Sequence, residues 1–119
     1  KSFFYALKNS ISKSIIAEKF IEGTQIIVDG YAFDKIQKST AVSTKILAQN
    51  KEVAVDIKYP GNLPEHILIK AKKNNEFVVN SLGFDFGFSH SEYMIDKNEN
   101  IYWIESATRG GGCFISEII

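Results

Sequence analysis

This sequence is short of several things, and each shortage excludes something. Only one of its 119 residues is cysteine, Cys113. No disulfide can therefore form within the chain, and a reducing compartment, the cytoplasm, is the expected setting. Neither charge is in excess: 14 Lys and Arg stand against 14 Asp and Glu. That balance argues against a module that grips nucleic acid through a basic field. The local basic cluster of Lys70, Lys72 and Lys73 reads as the solvated face of a helix. No apolar run approaches the roughly 18 residues that a membrane helix needs. The opening KSFFYALKNSISKS lacks the apolar core of a secretory signal, and its Phe3, Phe4, Leu7 and Ile11 fit one helix face instead. There is no internal repeat, low-complexity tract or linker, so no domain boundary is placed.

What is present is ordinary for a globular domain: 45% hydrophobic and 24% charged residues. The length suits one domain with a modest core. A start without Met, and an end at FISEII without a helix stop signal, lead us to expect a piece of a larger protein.

Hydrophobic patterning predicts a helix over 2–12 and a strand over SIIAEKFI, residues 14–21. Gly23 breaks that strand, and TQIIVDGYAF predicts a second. DKIQ reads as a hairpin turn. KSTAVSTKIL and EVAVDIKYP read as the third and fourth strands, closed by Pro60 and Gly61. A helix is expected over 64–82, with Asn62 or Leu63 at its cap and Gly83 as its left-handed stop. Its buried stripe is read as Ile67, Leu68, Ala71, Phe77, Val78 and Leu82, interrupted by KKNN. FGFSHSEYMID and NIYWIES predict a closing hairpin, and CFISEII predicts a further helix. This order gives an α+β class, an antiparallel sheet with helices packed on one face.

The closing hairpin carries the chemistry. With KNEN as its loop, Glu92 falls opposite Glu105, and opposed residues have Cβ atoms about 5 Å apart. Two like charges so placed need compensation. One carboxyl stays protonated, or both splay into water, or a divalent cation sits between them; hard oxygen ligands suit Mg²⁺. Period two puts Met94 and Trp103 on the same face, so it is no simple wet surface. His90 with Glu92 admits a zinc reading, but a zinc site wants three or four ligands, and a hydrogen-bonded histidine is the plainer reading. Arg109 suits a phosphate or carboxylate, or else it neutralises Glu105. Gly110, Gly111 and Gly112 either let a ligand approach the backbone or form a plain turn.

Three stretches together resemble the C-terminal lobe of the ATP-grasp superfamily. AEKFIEGTQ looks like its hinge strand, about 15–22. LGFDFGFSHSEYMID and IYWIESATRGGG look like its two metal-ligand strands. The nearest flavour is the carbamoyl-phosphate-synthase-like and biotin-carboxylase-like ligases. The resemblance implies that residues 1–119 are a partial ATP-grasp domain with ATP and Mg²⁺, or Mn²⁺, as cofactors. It implies that Glu18, Lys19, Phe20 and Ile21 hold the adenine, and Gln25 the ribose. Glu92 and Glu105 become the metal ligands, and Arg109 the group that meets the transferred phosphoryl. Two positions depart from the pattern: Gln25 stands where a glutamate is usual, and Ala107 where an asparagine often ligates metal.

The implied reaction activates a carboxylate as an acyl-phosphate for attack by an amine, ammonia or a similar nucleophile. The implied partners are those small-molecule substrates and an N-terminal lobe of the same protein, with homo-oligomers allowed and no nucleic acid or membrane. That other lobe would bring the glycine-rich phosphate loop and its lysines. The chain alone is therefore expected to be inactive and to bind Mg–ATP weakly. The alternative is a non-catalytic, nucleotide-sensing or degenerate module of the same fold.

Overall fold

A computed structural model describes residues 2–48 and 54–112. Its elements are α1 (Ser2–Asn9), β1 (Thr24–Phe33), β2 (Ile36–Leu47), β3 (Ala54–Lys58), α2 (Glu65–Ser81), β4 (Gly87–Ile95) and β5 (Ile101–Ala107). The five strands form one antiparallel sheet in the order β3-β2-β1-β4-β5. The expected α+β class is the one found. The helix expected from 113 onwards lies outside the described residues, as does Cys113.

β1 is the hub of the sheet. Its TQIIVDGYAF run pairs with β2 through a two-residue turn, Asp34–Lys35, and with β4 along its whole length. Both turn residues have positive φ, 49° and 64°, as a tight right-twisting hairpin requires. One face of β1 and β4 buries Ile26, Val28, Tyr93 and Ile95 under α2. Each aliphatic side chain fully removed from water contributes about 2 kcal/mol.

α2 ends as its glycine predicts. Gly83 has φ 75°, its N–H reaches the Asn80 carbonyl, and the Phe84 N–H reaches Val79. These two bonds satisfy carbonyls that the last turn would otherwise orphan. The N-cap is Pro64 rather than Asn62 or Leu63, and no side chain caps it.

The buried stripe also differs from the expected one. Ile67, Ala71, Asn75 and Val79, spaced by four, face the sheet, whereas Phe77 is 73% exposed and Leu82 is exposed too. Asn75, part of the supposed interruption, is fully buried. It accepts a hydrogen bond from the Tyr93 hydroxyl (2.9 Å) and donates one to Ser39 Oγ (3.0 Å). Its polarity is satisfied, which is why it can sit in the core.

A second correction concerns residues 14–22, the expected hinge strand. They form no ladder with any strand among the described residues. A strand is defined by its hydrogen-bonded neighbour, and apolar β-branched residues alone do not supply one. Gly23 fixes the departure from β1, because a Cβ there would overlap the Ile95 carbonyl.

Candidate functional site

α2 covers one face of the sheet, and the chemistry lies on the other. Successive residues of a strand point to opposite faces, so the neighbours of the core residues face outward. On β1 these are Gln25, Ile27 and Asp29, and on β4 they are Met94, Glu92 and His90. The ladder sets Gln25 beside Met94, Ile27 beside Glu92 and Asp29 beside His90.

With Lys45 of β2, Asp29, His90 and Glu92 form a row of charges of alternating sign. Asp29 Oδ1 and His90 Nδ1 are 2.6 Å apart. His90 Nε2 lies 3.9 Å from Glu92 Oε1. Lys45 on β2 donates to both oxygens of Glu92, at 2.8 and 3.0 Å. Gln25 Nε2 donates to Glu92 Oε2 at 2.6 Å. Asp29, His90, Glu92 and Lys45 all have side chains less than a fifth exposed.

Each charge sets its neighbour's proton affinity. Hydrogen bonding to Asp29, then the pull of Glu92, raises His90 from 6.5 to about 9 against the opposing effect of burial. The histidine is therefore cationic at neutral pH. His90, then Lys45, lowers Glu92 from 4.5 to about 2, also against burial. At 3.9 Å the ring lies beyond hydrogen-bonding length, so it acts on Glu92 through charge, whereas Lys45 bonds it directly.

Glu92 does face Glu105 across the ladder, but through a less regular hairpin than expected. The loop has five residues, because Ile95 pairs with Ile101 and Tyr93 with Trp103. A bulge at Ile104 then restores the register, so Glu92 meets Glu105 and His90 meets Ala107. Asp96 braces the loop by accepting from the N–H groups of Asn98 and Asn100. The like charges are resolved unequally. Glu92 is neutralised by Lys45 and His90, while Glu105 is exposed and unpaired among the described residues.

Arg109 does not neutralise Glu105. Its guanidinium donates to the Gly110 carbonyl, at 3.0 Å. It lines a cavity with Ile27, Lys45, Ile57, His90, Glu92 and Gly112, so three cationic groups converge around Glu92. Glu18, Lys19, Phe20 and Ile21 wall an adjoining groove of about 540 Å³ against Met94, Tyr102, Trp103 and Ile104. Trp103 pairs with Tyr93 and its indole N–H donates to Ser106 Oγ, so it does not share the face of Met94 as period two alone suggests; the bulge at Ile104 shifts the register. Gln25 lies at the next hollow, between Phe20 and Lys45, with its amide committed to Glu92.

Lys45 and Asp29 are the members of this site that patterning overlooked. Their signal is a charged residue inside an otherwise apolar strand, AVSTKIL and IIVDG. The two histidines do not meet: His66 pairs with Glu99 at the surface. Among the described residues, no group of three or more His, Cys, Asp and Glu is placed to hold a metal. Glu92 and Glu105 offer hard oxygens of the kind Mg²⁺ takes. Two carboxylates suffice where phosphates and water complete the shell, so the donor set fits that ion in kind.

No family model matches this sequence, and no curated protein matches it. Solved structures do match. An L-amino acid ligase from Bacillus licheniformis shares 24% identity over 84% of this chain and 26% of its own, with a TM-score of 0.71. A biotin carboxylase complex with β-γ-ATP from Campylobacter jejuni shares 18% over 98% of this chain and 28% of its own, with a TM-score of 0.84. A phosphoribosylglycinamide synthetase from Anaerococcus prevotii shares 19% over 98% and 30%, with a TM-score of 0.77. This chain thus spans between a quarter and a third of each enzyme, and it has the ATP-grasp fold.

Proposed function

We propose that this chain is the nucleotide- and Mg²⁺-binding part of an ATP-dependent ligase of carbamoyl-phosphate-synthase-like type. The ligase joins a carboxylate to an amine, ammonia or a similar nucleophile. The observation that carries this reading is the register that sets Glu92 opposite Glu105 on the uncovered face. The fold supports it, since the enzymes that share it include ligases and synthetases.

In this reading the base enters the groove between residues 18–21 and Met94, where Phe20 and Ile21 give apolar contact and the backbone of Lys19 and Ile21 meets its edge. Glu92 and Glu105 hold the ion, which when bound offsets negative charge on the phosphates. The substrate carboxylate attacks the γ-phosphorus and ADP leaves. The amine nitrogen then attacks the acyl carbon, and phosphate leaves.

Arg109 and Lys45 supply fixed positive charge where charge builds up, in a site the sheet keeps partly dry. His90 stays protonated beside Asp29, so it orients Glu92 and does not act as a base. The rest of the phosphate-binding machinery comes from a second lobe, which leaves the 119-residue chain inactive alone. Cytoplasmic location and self-association belong to the same proposal.

Two features favour a second reading, a nucleotide-sensing module without turnover. Gln25 is tied to Glu92, and Ala107, opposite His90, has no ligand atom. ATP turnover by the intact gene product decides between them. The ligase reading expects Mg²⁺-dependent phosphate release that Glu92→Gln and Glu105→Gln each lower about a hundredfold. Saturable ATP binding without release in the wild type selects the sensing module.

A further inference from the structure

A second cavity opens on the uncovered face, one row beyond His90. It measures about 170 Å³ and is lined by Asp29, Gly30, Tyr31, Thr40, Phe88, Ser89, Gly110 and Gly111. Tyr31 and Phe88 are directly opposed across the β1–β4 ladder, so both stand on the same face of the sheet. Both are substantially exposed, at 43% and 61%.

Asp29, by contrast, is only 3% exposed. Its Oδ1 is taken by His90, while its Oδ2 is buried with no hydrogen-bond partner. A buried carboxylate oxygen without a partner is costly, so the site favours whatever brings an N–H to it. Gly110 and Gly111 follow Arg109 directly, and His90 separates this cavity from the one that Arg109 and Glu92 line.

We propose that this cavity is the acceptor subsite, and that it takes a primary amine carrying an apolar or aromatic group. The inference rests on the ligase reading and names its nucleophile. The ammonium or amine N–H groups bond Asp29 Oδ2, and the apolar part lies on Tyr31 and Phe88. A cation there gains a charge-assisted hydrogen bond and attraction to the ring faces. An anion meets the Asp29 charge instead.

The test follows backbone amide resonances of this chain during titration with phenethylammonium and with hydrocinnamate, which has a similar ring and the opposite charge. Phenethylammonium should give saturable shifts at Tyr31, Phe88, Gly110 and Gly111, and hydrocinnamate should bind about tenfold more weakly. Phe88→Ala, at an exposed position, should weaken the amine about fivefold with an unchanged fold. Asp29→Asn, where it folds, should erase the preference between the probes; where it does not fold, the wild type and Phe88→Ala still decide. Equal binding of both probes, absence of shifts at these residues, or a Phe88→Ala variant that binds like the wild type would overturn the proposal. So would a folded Asp29→Asn that keeps the preference.

In the intact protein, phenethylamine should stimulate ATP turnover more than ammonium does; equal stimulation would remove the acceptor role. Nucleotide plays no part in the titration. A protein that binds the amine but never turns over ATP thus fails as a ligase without failing this binding test, and the converse outcome is equally separable.

Discussion

The two faces of one sheet are built from the same strands and obey opposite rules. Under α2 the fully buried polar side chains are neutral, such as Tyr93 and Asn75, which bond each other beside an apolar cluster. On the uncovered face, Asp29, His90, Glu92 and Lys45 alternate in sign along one row. A single-residue step along β4, from Glu92 to Tyr93, crosses from one regime to the other. The covered face holds the fold together. The open face spends some of that stability on keeping charges partly dry and close, which is useful only where a ligand brings charge of its own.

Substitutions separate the two faces. The largest effect is expected under the helix: Ile26→Ala, at a fully buried site, should cost about 4 kcal/mol in urea unfolding. A loss under about 1 kcal/mol would mean that the core lies elsewhere. On the open face the loss should fall on function. Glu105→Gln should reduce ATP turnover of the intact protein about a hundredfold, yet leave unfolding within about 0.5 kcal/mol, because its side chain is exposed. Tyr93→Phe should cost about 1.5 kcal/mol by orphaning Asn75 Oδ1, without altering nucleotide binding.

The smallest effect is pH dependence. His90 is raised on folding, so its contribution is complete below pH 6.5 and is lost as pH rises through about 9. Glu92 is lowered on folding, so its contribution is complete above pH 4.5 and is lost as pH falls through about 2. Stability from the open face should therefore be greatest between 4.5 and 6.5, measured by urea unfolding across pH. Burial raises Tyr93 to about 12, so the covered face should lose its contribution only above pH 10.

Much of this was legible in the sequence, for physical reasons. The β1 boundaries, the turn at Asp34 and the stop at Gly83 follow from local chemistry that leaves little choice. The opposition of Glu92 and Glu105 was also readable, although a longer loop and a bulge at Ile104 cancelled to produce it. Tertiary partners were not readable. Asn75 looks like an interruption until Tyr93 and Ser39 are seen to satisfy it. Lys45 looks like a solvated strand lysine until β2 is placed beside β1. Residues 14–22 have the composition of a strand, but none of the described strands pairs with them.

The central claim is that the open face, through Glu92 and Glu105, receives a metal–nucleotide. It is tested most directly with Mn²⁺ and a non-hydrolysable ATP analogue added to this chain, reading which amide resonances the paramagnetic ion broadens. The account predicts broadening centred on Glu92, Glu105, His90 and Ala107, with Asn75 and Val79 on the sheet-facing side of α2 spared, and its loss in Glu92→Gln with Glu105→Gln. Broadening centred elsewhere, or unchanged in that double variant, would contradict it.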